Sequence, residues 1–330
     1  MAAIGVREVP KTGQRQSFRS ARGSLASNLR GVMTPTPWTM TWQGATVGGM
    51  ECGDRDGYPV LAFHGAPGSH VEGVAFADAP AAEVGVRLIA IDRPGMGMST
   101  LSARERIVDF ADTAAAVADR FQVDRFAVLG ASAGGPFALA SAYRLPDRVS
   151  KAVVVSSVAP FDDPAAMKGA GGVKPAGGLL ILRRFPWLAR PAAARMAQIV
   201  RKPRGLDAMI ARMSATDRAR IAGDDRLRDQ LGENINTAFA TGSRGVALDF
   251  QLLFARPWGF DPANITVPVD VWHGDADGNV PVEDGRRLAR SIPDATFEEV
   301  AGAGHLLFVD HAATILRSIR EDSSTVRKAD

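Results

Sequence analysis

From Trp38 onward, short apolar runs alternate with longer stretches whose apolar residues recur at helical spacing. Residues 60–63, 86–91, 126–129, 152–155, 267–272 and 296–300 are brief, often β-branched, and bounded by Gly, Pro, Asp or His, so they predict strands. Residues 104–120 and 135–143 predict helices between them. Strand and helix alternating in this way predict a parallel sheet covered on both faces. The expected fold class is therefore α/β, a doubly wound and mostly parallel sheet.

The alternation breaks between residues 161 and 258. A Gly-rich stretch at 169–178 is followed by apolar helical segments at 179–182, 192–200, 206–213 and 234–254. An all-helical insertion between two strands of a sheet predicts a lid, and the expected organisation follows. Residues 1–35 form an N-terminal basic arm, either flexible or packed on the body. Residues 36–160 and 259–330 form the α/β core, and 161–258 a helical cap.

Composition narrows the picture in three places. A chain of 330 residues with 46% hydrophobic and 23% charged residues has ordinary globular usage and can bury a sizeable core. The single cysteine, Cys52, excludes an intramolecular disulfide and any zinc or iron–sulfur site built on several thiolates; no metal or cofactor is expected, and a reducing cytoplasmic setting is. Cys52 has no His near it in sequence and reads as a structural thiol. No apolar run is long enough to span a bilayer.

The formal charge of +3 is unevenly placed, with a net +5 in residues 1–30 and +7 in 161–204, so the remainder is acidic. That distribution argues against a nucleic-acid-binding body. The arm lacks an apolar signal core; its Arg- and Ser-rich composition also fits a transit peptide, although the rest of the chain shares the bias. The segment 179–202, with Phe185 and Trp187 among arginines, has the composition of an interfacial helix but reads first as a lid helix with its apolar side toward a pocket. A small-molecule substrate is expected, with no stable membrane insertion; peripheral contact through the basic cap stays open.

The candidate chemistry centres on Gly130-Ala131-Ser132-Ala133-Gly134, where a predicted strand runs through a serine flanked by small residues into a predicted helix. That is the context a G-x-S-x-G nucleophile elbow requires, since its tight turn leaves no room for larger neighbours. A serine hydroxyl needs a base to take its proton. Of the five histidines, His305 follows the last predicted strand in Gly302-Ala303-Gly304-His305 and is the best placed. His64 and His273, each before a glycine at a strand end, read as turn or supporting residues, and His70 and His311 as packing or surface residues. The base needs a carboxylate to hold its tautomer, and the loop after 267–272 offers Asp275 and Asp277. A developing oxyanion needs donors, the first expected being the backbone N–H of Ala133.

These ordered segments resemble the α/β-hydrolase superfamily over roughly residues 40–320. His273-Gly274-Asp275-Ala276-Asp277-Gly278-Asn279-Val280-Pro281 resembles that family's Gly, two residues, Asp, two residues, apolar residue and Pro. The resemblance implies Asp277 as the acid, with Asp275 the alternative, and the order Ser132, Asp277, His305 is that fold's. His64-Gly65-Ala66-Pro67-Gly68 resembles its HG-x-P segment, which implies Ala66 N–H as the second oxyanion donor. Asp92-Arg93-Pro94-Gly95-Met96-Gly97-Met98-Ser99 resembles its D-x-x-G-x-G-x-S segment and reads as structural, with Asp92 and Arg93 pinning loops; it lacks the Lys and Ser/Thr of a phosphate loop.

The activity implied is hydrolysis of a carboxylic ester, lactone or thioester through an acyl-enzyme. Three alternatives remain beside it: carbon–carbon bond hydrolysis or perhydrolysis with the same three residues, a proline iminopeptidase-like peptidase, and a non-catalytic receptor of the same fold. The peptidase is disfavoured because Ala133 stands where a Trp usually follows the serine, and because the start of the cap is cationic.

Overall fold

The computed structural model describes residues 31–103, 106–160 and 181–326. Most of the expected arm, the Gly-rich start of the expected cap and residues 104 and 105 of a predicted helix lie outside them. Eight strands form one sheet: β1 (Thr36–Trp42), β2 (Ala45–Gly53), β3 (Tyr58–Phe63), β4 (Val86–Ile91), β5 (Phe126–Ala131), β6 (Val149–Val155), β7 (Val269–Gly274) and β8 (Ala295–Val300), in the order β1-β2-β4-β3-β5-β6-β7-β8. From β4 to β8 every pairing is parallel, and β1 and β2 add an antiparallel edge. Each of the six predicted strands is present, as is the expected α/β class.

Ten α-helices lie wholly within the described residues: α1 (Val71–Val84), α2 (Ala111–Arg120), α3 (Gly135–Arg144), α4 (Ala189–Val200), α5 (Gly205–Ile210), α6 (Ala215–Ala222), α7 (Asp225–Ala238), α8 (Arg244–Phe254), α9 (Val282–Ser291) and α10 (Leu307–Val326). Along β3, Leu61 and Phe63 point into one apolar cluster with α2, α3 and α9, while Val60 and Ala62 point into a second with α1 and α10. The strand's period of two thus feeds both layers of a doubly wound fold. Burial on both faces also explains why these strands read as continuous apolar runs.

The edge pair was not legible in the same way. β1 buries only Trp38 on its alternating positions, and β2 carries Gly48 and Gly49 in its middle. Gly49 is required there, because a Cβ would lie 1.9 Å from the Ala90 carbonyl oxygen of β4. The glycine that permits this pairing removes the β-branched signal that would have announced it. α1 carries a weak sequence signal because two of its four buried residues are alanine and Pro80 lies within it.

Between β6 and β7 the chain holds α4 to α8. The helical stretch predicted at 234–254 is two helices, the end of α7 and all of α8, parted by a turn in which Gly242 has φ 109°. Ser214 and Asp224 cap α6 and α7, accepting from Asp217 N at 3.1 Å and Leu227 N at 3.0 Å. The insertion has its own small apolar cluster, including Ala189, Ala193, Phe239 and Val246, joined to the β4 side by Met96. Among the described residues, no helix is long and apolar enough to cross a membrane.

Candidate active site

Ser132 stands between β5 and α3 with φ 52°, a left-handed conformation that a non-glycine residue adopts only when its surroundings impose it. The imposition is steric. A Cβ on Gly130 would meet the Gly134 carbonyl oxygen at 2.5 Å, and one on Gly134 would meet the Phe63 carbonyl oxygen at 2.0 Å. Both glycines of the motif are therefore demanded by close backbone packing, which leaves the serine at the apex of the turn.

His305 lies in the loop between β8 and α10, and its Nε2 is 3.0 Å from Ser132 Oγ. On its other side Nδ1 meets Asp277 Oδ2 at 2.7 Å. The three expected residues are thus brought together from loops 173 and 28 residues apart. Asp277 is buried and held by its own turn, its Oδ1 accepting from Asn279 N at 2.8 Å and Val280 N at 2.9 Å. Asp275 points elsewhere, accepting from Gly302 N at 2.6 Å. His273, fully buried, has Nε2 3.0 Å from the Val280 carbonyl oxygen and 3.4 Å from Asp277 Oδ2, so the carboxylate has an imidazole on each side.

The electrostatics follow from this packing. Burial alone would raise the Asp277 pKa, but the two imidazoles outweigh it and hold the carboxyl well below the usual range. Burial would lower that of His305, yet the carboxylates around it, Asp277 foremost and then Asp217 and Glu72, together raise it. His64 goes the other way: burial and the nearby Arg93 guanidinium push its pKa far down. Its neutral tautomer is fixed as well, with Nδ1 donating to the Gly65 carbonyl at 2.7 Å and Nε2 accepting from Arg93 N at 3.2 Å.

The loop after β3 brings Gly65, Ala66 and Pro67 into the same cavity wall as Ser132, and Ala66 packs on the apolar cluster that contains Ala133. Arg93 fixes this loop from behind. Fully buried, its guanidinium donates to the His64 carbonyl and, at 3.0 Å, to the Gly65 carbonyl; it grips Asp249 of α8 with contacts down to 2.6 Å and lies 4.6 Å over the Phe137 ring. Asp92 receives His70 N and Nδ1 at 2.6 and 2.7 Å and Met98 N at 2.9 Å. Both residues pin loops, and His70 is a buried partner of Asp92.

Four residues here carry no sequence signal that identifies them. Glu72 accepts from Gly65 N with both oxygens, at 3.1 and 3.0 Å, and burial raises its pKa although that N–H and Arg93 pull it back. Asn234 of α7 reaches Glu72 at 3.4 Å and accepts from Ser69 N at 2.8 Å. Asp217 of α6 accepts from His305 N at 3.1 Å and Leu306 N at 3.0 Å, and Asp249 holds Arg93. The nearest cue is at Asp217: Ser214-x-x-Asp217 has the spacing of a capping box, and Ser214 Oγ donates to it at 2.7 Å, but nothing local says that the carboxylate also reaches position 305.

Above Ser132 is a cavity of about 810 Å³, walled by Phe76, Met196, Ile199, Met209 and Leu231 and edged by Arg195 and Arg212. A second cavity of about 700 Å³, beside Trp258 and Phe260, holds none of the groups above. A serine hydroxyl bonded to an imidazole, itself bonded to a buried carboxylate and opening on a largely apolar cavity, is an arrangement suited to nucleophilic acyl transfer.

Comparison with known proteins identifies the fold family. The α/β hydrolase fold family model matches residues 58–312. An α/β hydrolase fold protein from Nakamurella multipartita is 28% identical, with a TM-score of 0.61 over 86% of this chain and 99% of its own. A thermophilic esterase from Thermogutta terrifontis is 23% identical, with a TM-score of 0.63 over 90% of this chain and 99% of its own. The enol-lactonase from Burkholderia xenovorans LB400 is 17% identical, with a TM-score of 0.64 over 87% of this chain and 99% of its own. No curated protein matches the chain.

Proposed function

The chain belongs to the α/β hydrolase fold family, and from that premise we propose that it is a serine-dependent hydrolase of carboxylic esters or lactones working through an acyl-enzyme. The observation that carries the reading is the unbroken chain from Ser132 Oγ through His305, at 3.0 Å, to Asp277, at 2.7 Å. In the proposed reaction His305 Nε2 takes the hydroxyl proton as Ser132 Oγ attacks the carbonyl carbon. Asp277 stabilises the imidazolium that forms. The oxyanion is received by the backbone N–H groups of Ala66 and Ala133, each worth about 2.7–4 kcal/mol. His305 returns its proton to the departing alcohol or enol oxygen. Water, deprotonated by the same imidazole, then attacks the acyl carbon and frees Ser132.

The esterase and enol-lactonase among the structural neighbours support ester and lactone substrates over other acyl compounds. The cavity supports an apolar acyl or alcohol part. Its charged rim of Arg195 and Arg212 favours a neutral or anionic substrate over a peptide amino terminus, and its carboxylate, Glu72, is already engaged by Gly65 N–H.

The test is turnover of short-chain p-nitrophenyl esters and of a small lactone panel. Wild type is expected to hydrolyse them and to be labelled at Ser132 by a fluorophosphonate. Ser132→Ala should lose on the order of 10⁴-fold or more in kcat while folding normally. Equal turnover by the two proteins would remove Ser132 from the mechanism.

A further inference from the structure

Of the five large apolar side chains that are exposed among the described residues, three fall within seven consecutive positions: Ile181 at 54%, Phe185 at 43% and Trp187 at 63%. They form one patch. Phe185 N donates to the Ile181 carbonyl at 2.8 Å, which sets both side chains on one face of a helical turn, and the Phe185 and Trp187 rings meet with centroids 6.4 Å apart. Large apolar groups clustered on a surface mark a contact made with something else.

The charge around the patch says what that something is. From position 181 to 204 the chain has seven Arg and Lys residues, all exposed, and no Asp or Glu. Arg184 lies 5.2 Å over the Phe185 ring, so cation and aromatic occupy one spot. Aromatic and aliphatic side chains exposed in an arginine-rich, acid-free segment match a surface with negative headgroups over an apolar interior. A second copy of the chain fits poorly, because a two-fold contact brings this cationic, acid-free patch against another copy of the same patch. Nucleic acid fits poorly as well, since Ile181 offers no face for a base and the two rings are tilted 66° to each other instead of forming a platform.

The patch continues directly into α4, whose Ala192, Arg195, Met196 and Ile199 wall the cavity above Ser132. We propose that residues 181–204 dock the protein on anionic lipid bilayers, with Ile181, Phe185 and Trp187 entering the interface and the surrounding arginines meeting the headgroup charges. Docking through this segment sets a wall of the cavity beside the bilayer, where apolar substrates concentrate.

The experiment is co-sedimentation of the full-length protein with vesicles of pure phosphatidylcholine and of an equimolar mixture with phosphatidylglycerol, at low and high salt. Because binding is measured without turnover, failure here and failure of the hydrolase reading are separate results. Wild type is expected to partition at least about tenfold more strongly onto the anionic vesicles, and that gain should be lost at high salt. The triple variant Ile181→Ser, Phe185→Ser and Trp187→Ser should bind them about tenfold more weakly or worse, with unchanged thermal unfolding and unchanged turnover of a soluble ester. Arg183→Glu with Arg184→Glu should lose the preference for anionic lipid. The proposal is overturned by equal binding to both vesicle types, by wild-type binding of the triple variant, by retention on transfer RNA with no vesicle binding, or by a dimer in solution that the triple variant dissolves.

Discussion

The loops that follow β3, β5, β7 and β8, and the helices inserted between β6 and β7, line the same cavity, yet they are held by different means. The loops are locked through backbone: glycines that permit contact with neighbouring carbonyls, and carboxylates such as Asp277 and Asp92 that receive nearby N–H groups. The insertion has a small, alanine-rich apolar cluster of its own, and it also sends Ile221 and Leu227 into one core cluster and Leu252 and Leu253 into the other. Three buried polar side chains tie it to the core loops. Asp217 grips His305 and Leu306, Asn234 grips Ser69 and Glu72, and Asp249 grips Arg93. Close backbone contacts thus dominate in the loops, and buried polar side chains joined to apolar packing dominate where the insertion meets them.

Three substitutions sharpen that contrast. The largest effect belongs to the loop side. Asp277→Asn should cost about 10⁴ in kcat on an ester, roughly 5.4 kcal/mol. The pH dependence has a definite sign. His305 acts as base only when neutral, and although burial lowers its pKa, Asp277 with Asp217 and Glu72 raises it above 6.5 overall, so kcat/KM should fall as pH drops through that raised value. Removing the carboxylate should move this acid limb to lower pH. For the fold the signs are opposite: the raised His305 pKa contributes stability that is present below pH 6.5 and lost as pH rises through the raised value. The depressed Asp277 pKa contributes stability present above pH 3.8 and lost as pH falls toward its folded value. Urea unfolding across pH reads both.

Next is the latch between Asp249 and Arg93. Asp249→Ala leaves a guanidinium buried with no counter-charge from the insertion and should cost about 3–5 kcal/mol, measured by urea unfolding. Asp249→Asn keeps an acceptor and should lose less. If the alanine variant is as stable as wild type, apolar packing holds the insertion without the latch.

The smallest effect should come where the two regions meet. Asp217→Ala frees the N–H groups of His305 and Leu306 and should cost about 1–3 kcal/mol in stability. It should also lower kcat by about tenfold with KM nearly unchanged, since the backbone that aims the imidazole is loosened. Asp217→Asn should restore part of both. A fall in stability with no change in kcat would mean that the insertion roofs the site without aiming it.

Much of this site was legible because its requirements are local. The six apolar runs announced their strands through continuous burial on both faces, and Gly130 and Gly134 announced the turn at Ser132 because the contacts that forbid a side chain there recur wherever that turn is made. The glycines of β2 had the opposite effect and hid the strand that joins the edge to the parallel sheet. Glu72, Asp217, Asn234 and Asp249 look like ordinary polar positions in helices; their partners lie 7, 88, 165 and 156 residues away, and no periodicity carries that information.

The sequence by itself determined the sheet-and-helix alternation, the elbow, and an ordered set of loops resembling one superfamily, because each depends on residues that are neighbours in the chain. Only the tertiary structure decided that Asp277 and not Asp275 faces His305, that His70 is buried on Asp92, and that the insertion grips the loops through three polar side chains. It also decided that Phe185 and Trp187 point outward together. The reason is the same in each case: the periodicity of a strand or helix shows which side of an element is apolar, whereas the partner of a buried carboxylate is chosen by folding distant segments against one another.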